Sequence, residues 1–190
     1  YKGLYKMRVI SGLLKGKKLE GYNVETTRPT MDRVKESMFA SIQEDIPNSI
    51  VLDLFCGTGS LGIEALSQEA DHCYFVDNNK EILKYLNKNI NNLNIKDKST
   101  VLNKDYRSAL KYLNSTNTKF NIILVDAPYK MKVMDEVITL IDNLDLLSNE
   151  GLLVLEFSFD KLNDNYHNLK LIKSKKYSDK FVYIYRKVID

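Results

Sequence analysis

A chain of 190 residues, 44% of them hydrophobic, has the size of one α/β domain with a sheet covered on both faces, and is too apolar for global disorder. No run approaches the roughly 18–20 apolar residues of a membrane span, no charged-then-apolar leader is visible, and Cys56, Cys73, His72 and His167 fall in no zinc-ligand spacing. These features argue against a membrane protein, a metal site and a disulfide framework, and fit a reducing cytoplasm.

The net charge of +3 is unevenly placed. Residues 1–40 hold 9 Lys/Arg against 4 Asp/Glu, residues 161–190 hold 8 against 3, and residues 41–160 hold 11 against 18. An acidic middle between two basic ends is expected if both ends lie along a polyanion; ordinary solvated surface is the alternative.

Met7 reads as the natural start, preceded by Tyr1–Lys6. Met7–Leu19, with Gly12, Gly16, Lys15, Lys17 and Lys18, reads as a short basic hairpin. Residues 23–30 form a loop, and Thr30 is the expected N-cap of a helix with Val34, Met38 and Ile42 on its apolar face and Arg33, Lys35 and Ser37 off it. Ile50–Phe55 is an apolar strand that ends in Cys56-Gly57-Thr58-Gly59-Ser60-Leu61-Gly62, and a helix follows through Leu66. Strands are expected at Tyr74–Val76, Thr100–Leu102, Phe120–Val125 and Gly151–Phe157, alternating with helices at Glu81–Leu93, Tyr106–Leu113 and Val133–Leu144. Lys170–Lys176 and Phe181–Lys187 form a closing antiparallel pair turned at Ser178-Asp179. The alternation from 50 to 157 predicts an α/β fold with a mostly parallel, doubly wound sheet, helices on both faces and an antiparallel C-terminal strand. The expected division is a basic N-terminal extension over 1–46 and one domain over 47–190. In such sheets ligands bind beyond the carboxyl ends of the strands.

Gly57 to Gly62 satisfies G-x-G-x-x-G, and Asp77 stands 20 positions after Gly57 at the end of the next strand. Glycines let a backbone approach a ligand, and the acid accepts hydrogen bonds from ribose hydroxyls. Both NAD and S-adenosylmethionine carry a ribose. Asp53 separates them: its charge suits the cationic methionine end, whereas it would face the anionic pyrophosphate of NAD. The donor-contact candidates are therefore Asp53, Phe55, Gly57, Gly59, Asp77 and Asn78. Asp105 and Tyr106 are placed to take the adenine amino group and its face; for Asp105 a helix N-cap is the competing role. Cys56 reads as a packing residue, since no basic partner activates it.

Asp126-Ala127-Pro128-Tyr129 follows the fourth strand. The lone pair of a base amine is delocalised into the ring, so attack on a sulfonium methyl requires the nitrogen to become more tetrahedral. The Asp126 carboxylate and the backbone carbonyl after it supply two acceptors for its N–H groups. Pro128 restricts Ala127 to extended geometry, and Tyr129 offers a stacking face for an extruded base.

The segments Met7–Gly12, Lys15–Leu19, Thr27–Glu36 and Asp53–Leu66 resemble the bacterial 16S rRNA guanine-N2 methyltransferases of the small ribosomal subunit, over about Met7 to Lys187. The glycine loop is common to many methyltransferases; Arg28-Pro29-Thr30-Met31-Asp32-Arg33-Val34-Lys35-Glu36 is the more family-specific part. The resemblance implies a Rossmann-like class I methyltransferase fold, S-adenosylmethionine as donor, and a guanine of 16S rRNA, free or in an assembling subunit, as acceptor. It implies donor binding by Asp53, Gly57, Gly59 and Asp77, and binding of the target amine by Asp126 to Tyr129. Where the family shows Asp-Pro-Pro-Tyr or Asp-Pro-Pro-Phe, this chain has Ala127 at the first proline, which keeps the carbonyl and loosens the loop. Arg28, Arg33 and Lys35 then read as RNA-phosphate or active-site residues, and Lys15, Lys17 and Lys18 as phosphate contacts. Nothing requires a dimer. The alternatives are a DNA adenine-N6 methyltransferase, an NAD-linked oxidoreductase, and a non-catalytic RNA-binding module that keeps the fold.

Overall fold

The computed structural model describes residues 7–21, 28–126, 131–158 and 162–188. Its elements are α1 (Arg28–Ile42), β1 (Ile50–Leu54), α2 (Ser60–Ser67), β2 (His72–Asp77), α3 (Lys80–Asn92), β3 (Ser99–Asn103), α4 (Tyr106–Ser115), β4 (Phe120–Asp126), α5 (Met131–Asn143), β5 (Leu147–Phe157), β6 (Asn165–Tyr166), β7 (Leu169–Tyr177) and β8 (Lys180–Lys187). They build one eight-stranded sheet in the order β3-β2-β1-β4-β5-β8-β7-β6. β1 to β5 pair in parallel, while β8 runs antiparallel to β5 and β7 to β8.

Period-two alternation of each strand divides the core. Val51 and Asp53 of β1 point to one side of the sheet, Leu52 and Leu54 to the other. On the first side Val51, Phe75, Ile122 and Leu124 pack with Val34, Met38 and Ile42 of α1, Ile63 and Leu66 of α2, and Leu86 and Ile90 of α3. On the second side Leu52, Leu54, Ile123 and Val125 pack with Ala109, Leu110 and Leu113 of α4 and Val137, Ile138 and Ile141 of α5. The result is a three-layer helix–sheet–helix arrangement. Asp53 is the acid that β1 sends to the first side, a layer that also buries Lys35, Glu64 and Asn89.

The N-terminal segment joins that layer. Arg8 and Lys18 form an antiparallel bridge, Leu19 N–H donates to the Met7 carbonyl at 2.7 Å, and Met7, Val9 and Leu19 are buried. Its backbone is tied to α2. The Glu64 carboxylate accepts from the N–H groups of Ile10 (2.8 Å) and Ser11 (3.1 Å), and the Ser67 hydroxyl accepts from Leu14 N–H (2.9 Å) and donates to the Ser11 carbonyl (2.6 Å).

The main differences from the elements read in the sequence lie at α1, β5 and β6. α1 begins at Arg28, so Thr30 is its third residue and not its cap; Pro29 suits a first helical turn, where its missing N–H leaves nothing unpaired. β5 begins at Leu147, four residues before Gly151, because Ser148-Asn149-Glu150 continues the strand through a register irregularity opposite Phe120 and Ile122 and carries no apolar signal. β6 spans two residues, too short to leave a periodic pattern. Among the described residues no helix is long and apolar enough to cross a membrane.

Candidate active site at the sheet's reversal point

Strand order reverses between β1 and β4, which part in opposite directions across the sheet. This is the crevice in which open α/β sheets hold ligands. Because β1 to β4 are parallel, the glycine loop, Asp77, Asp105 and Asp126 all emerge at one edge. Leu54 is in register with Val76 on one side and Val125 on the other. The loop therefore rises between Asp77 and Asp126.

The loop's backbone explains its sequence. Phe55 (φ 60°), Gly57 (φ 55°) and Gly59 (φ 93°) are all left-handed, which is costly for Phe55 and free for glycine. A Cβ on Gly59 would lie 2.4 Å from Leu86 Cδ1, and one on Gly62 would lie 2.3 Å from Phe75 Cε1. These two glycines let α2 sit close against β2 and α3. Gly57 differs: a Cβ there would meet nothing within 4 Å. Its N–H donates to Asp77 Oδ2 at 3.0 Å, while Asp77 Oδ1 accepts from Asn79 N–H at 2.9 Å. The Phe55 and Tyr106 rings meet at 5.4 Å. Free space over Gly57, a carboxylate at its rim and a small aromatic surface beside it fit a nucleoside.

Asp105 caps α4. Its Oδ1 accepts from Arg107 N–H (3.0 Å) and Ser108 N–H (3.2 Å), and its Oδ2 accepts from the Ser108 hydroxyl (2.8 Å). These bonds hold its carboxyl below the usual range. The competing N-cap role is thus the one seen, although the exposed carboxylate keeps accepting capacity toward solvent. Tyr106 donates its hydroxyl to Glu136 at 2.7 Å, and Arg107 grips the same carboxylate. Asn78 is exposed beside Asp77. Burial pushes the Cys56 thiol well up, consistent with a packing role.

Asp53 is the acid of β1. It is buried, and its Oδ2 accepts from Gly62 N–H in the first turn of α2 at 2.8 Å. Burial pushes its carboxyl up to about 7, with Asp126 and Asp77 adding to the rise and the Gly62 bond and Lys35 opposing it. Asp53 anchors the helix end that carries the loop. A carboxyl that holds its proton more tightly folded than unfolded removes stability as pH rises, here from about 4 through about 7. Glu156 adds the same sign up to about 8. His72, lowered by burial, works in the opposite direction below about 6.5 and is only partly buried. We expect the melting temperature to fall between pH 5 and pH 8, and Asp53→Asn, which keeps an acceptor for Gly62, to flatten that slope. An unaltered slope in the variant would show that Asp53 carries no proton in this range.

Lys35 requires a correction. Expected as an RNA-phosphate or active-site residue, it is buried: its Nζ lies 3.2 Å from Glu64, donates to the Ser60 hydroxyl at 2.9 Å and to the Arg8 carbonyl at 3.2 Å, and the two charged side chains are 4% and 1% exposed. Desolvation lowers the ammonium's pKa against the pull of Glu64. Lys35 joins the N-terminal segment, α1 and the start of α2, and no phosphate in solvent can reach it. Asn89 makes a second such link: its Oδ1 accepts from Glu20 N–H at 2.7 Å, and its Nδ2 donates to the carbonyls of Glu20 (3.2 Å) and Thr58 (3.0 Å). The signal for both was polar residues, Glu64 and Asn89, set among apolar helix positions.

Asp126 ends β4 in register with Glu156 of β5. The side chain is accessible at the strand end, but the surrounding protein excludes enough water to raise its carboxyl, and Lys180 opposes that rise. Burial and the neighbouring Asp126 push Glu156 up to about 8; Lys180, 3.9 Å away, pulls it down. Two adjacent acids in a poorly hydrated place cannot both ionise readily. Glu156 was not singled out in the sequence, yet an acid closing the apolar run Leu152–Leu155 was the clue. Ala127, Pro128 and Tyr129 lie outside the described residues, as does the side chain of Arg28. Lys15, Lys17, Lys18 and Arg33 are exposed. The turn bearing Lys15 packs by Ser67, at the far end of α2 from the glycine loop and roughly 10 Å along the helix.

A family described as "conserved hypothetical protein 95" matches residues 7–186. YlbH of Bacillus subtilis, described as a candidate rRNA methyltransferase, is 36% identical over 182 residues, covering 95% of this chain and 99% of that protein. Ribosomal RNA small subunit methyltransferase D of Haemophilus influenzae is 34% identical over 172 residues, covering 89% and 88%. The solved structure of yhhF from Escherichia coli, described as a candidate methyltransferase, superposes with a TM-score of 0.85 at 28% identity over 98% of this chain and 100% of that one. With a matching fold, a glycine loop at the sheet's reversal and this extent of identity, the chain belongs to the conserved hypothetical protein 95 family, alongside relatives named as rRNA methyltransferases.

Proposed function

We propose that this chain methylates the exocyclic N2 amine of a guanine in 16S rRNA, using S-adenosylmethionine, as a monomer acting in the cytoplasm on free rRNA or an assembling small subunit. The observation that carries the reading is Asp126 at the end of β4, one strand from a glycine loop whose open side faces free space beside Asp77. The relatives' names support rRNA as the methylated class.

Gly57 leaves room for the donor, Asp77 accepts from its ribose hydroxyls, Phe55, Asn78, Asp105 and Tyr106 border its base, and Asp53 and Gly59 hold the loop in place. The donor supplies an electrophilic methyl on a sulfonium. Asp126 and the Ala127 carbonyl accept hydrogen bonds from the amine's two N–H groups and turn its lone pair toward that methyl. The nitrogen that gains the methyl gives up one N–H proton, for which Asp126 is the adjacent base; the sulfur would leave as a neutral thioether. Tyr129 stacks on the extruded base. This is catalysis by orientation and electrostatics, without a covalent enzyme intermediate. Lys15, Lys17, Lys18, Arg28 and Arg33 contact RNA phosphates.

The test is methyl transfer from labelled S-adenosylmethionine to small ribosomal subunits lacking base methylation, followed by digestion of the RNA to nucleosides. N2-methylguanosine is expected. N6-methyladenosine would overturn the base assignment, and no transfer with the donor bound would overturn the reading itself.

A further inference from the structure

The second basic end of the chain has no role in the reading above. Residues 169–180 hold five lysines and one acid, Asp179. They form β7, the turn and the start of β8. Since β8 is antiparallel to β5, with Phe157 opposite Phe181, and Tyr177 pairs with Lys180 across the turn, this turn lies at the carboxyl edge of the sheet. That is the edge of the glycine loop and Asp126.

β7 is nearly an edge strand. β6 covers only Leu169 and Lys170, so the outer side of β7 beyond them has no strand partner among the described residues. Lys173, Lys175 and Lys176 are exposed there, and among the described residues no carboxylate pairs with them. Lys173 and Lys175 are in register with Ile184 and Val182, which belong to the α1 side of the core. Lys176 is in register with Phe181 on the opposite side and lies over its ring. The hairpin end is docked on α1: the Tyr177 hydroxyl bonds the Ser37 hydroxyl, and Lys175 Nζ reaches Ser37 Oγ at 3.4 Å. Arg33 stands one helical turn before Ser37 and is exposed.

Lysines on an edge strand also block strand-to-strand association. That role requires neither docking onto α1 nor a place at the catalytic edge. Cations on both sides of this hairpin, with no carboxylate partner among the described residues and set at the edge of Asp126, suit a phosphate backbone.

We propose that the β7–β8 hairpin, through Lys173, Lys175 and Lys176 together with Arg33 of α1, holds the RNA backbone beside the target base. This rests on the RNA-methylation reading. It sets apart a contact at the catalytic edge from one at the N-terminal lysines, whose Lys15 turn packs at the far end of α2.

The experiment measures the salt dependence of binding to 16S rRNA by the full chain and by the triple variant Lys173→Gln, Lys175→Gln, Lys176→Gln. The control variant Lys96→Gln, Lys98→Gln, Lys111→Gln removes the same charge from exposed positions elsewhere. The hairpin variant should bind about 10- to 100-fold more weakly near physiological salt, with the log–log slope reduced by about 2 to 3. Its affinity for S-adenosylmethionine and its melting temperature should match the parent's, and its KM for RNA should rise with little change in kcat. The control should keep the parental slope. A parental slope in the hairpin variant, or equal losses in both variants, overturns the proposal and leaves the methylation reading intact. Failure of the unmodified chain to bind rRNA while it binds the donor overturns both.

Discussion

Asp126→Ala will lower methyl transfer to rRNA by about 10²- to 10³-fold, the usual cost of losing one preorganised group aimed at the reacting atoms, while affinity for S-adenosylmethionine stays within about threefold. The expectation follows from placement. Asp126 ends β4, next to but not in the glycine loop, and no described hydrogen bond ties its side chain to Gly57 or Asp77. The donor's contacts should survive its removal. The acceptor's should not, because the amine loses the carboxylate that orients its lone pair and keeps only a backbone carbonyl. Asp126→Asn sharpens the test, since the amide retains an acceptor oxygen but loses the charge. An intermediate rate in the amide variant separates geometry from charge. Single-turnover kinetics together with donor titration would measure both effects. An alanine variant within a factor of a few of the parental rate would remove Asp126 from the chemistry.

The largest stability effect is expected at Glu64→Ala, at about 3–5 kcal/mol, the range for breaking a buried pair by removing one partner. Glu64 is fully buried, and its carboxylate serves four positive or donor groups at once: Lys35 at 3.2 Å, Ile10 N–H at 2.8 Å, Ser11 N–H at 3.1 Å and Gln68 Nε2 at 3.3 Å. Removing it strands a buried ammonium and two backbone donors. For a domain of this size the melting temperature should fall by about 6–20 °C. The double variant Glu64→Leu, Lys35→Met should recover the part of that loss due to the stranded ammonium, because two apolar side chains carry no desolvation cost, while the Ile10 and Ser11 N–H groups stay without this acceptor. Denaturant unfolding of Glu64→Leu, Lys35→Met and the double gives the coupling energy. A loss under about 1 kcal/mol in Glu64→Ala would mean that the Glu64 contacts do not hold the N-terminal segment.

What the sequence determined by itself is what depends on near neighbours along the chain. Apolar runs at 50–55, 74–76 and 120–125 alternating with amphipathic stretches yielded the parallel three-layer fold, because strand and helix periods are local properties. The glycine loop was legible for the same reason: positive φ at Gly57 and Gly59 is a backbone demand written at the residue itself. The acids ending the strands could be placed at one edge, since parallel connection puts every carboxyl end there.

The tertiary structure alone decided which charges are buried and with whom. Lys35 reads as a surface lysine on α1, and only packing against Glu64, Ser60 and the Arg8 carbonyl turns it inward, through contacts spanning 25 and 27 positions at the hydrogen bonds. Asp53 reads as a donor contact, and the tertiary structure adds a bond from Gly62 N–H in the first turn of α2. Glu156 became visible beside Asp126 only once β4 and β5 were in register. The basic C-terminal end was plain as composition, but its position at the catalytic edge comes from the antiparallel pairing of β8 with β5. Local propensity sets each element. Long-range pairing sets which polar groups lose water, and so which of them are structural and which stay exposed.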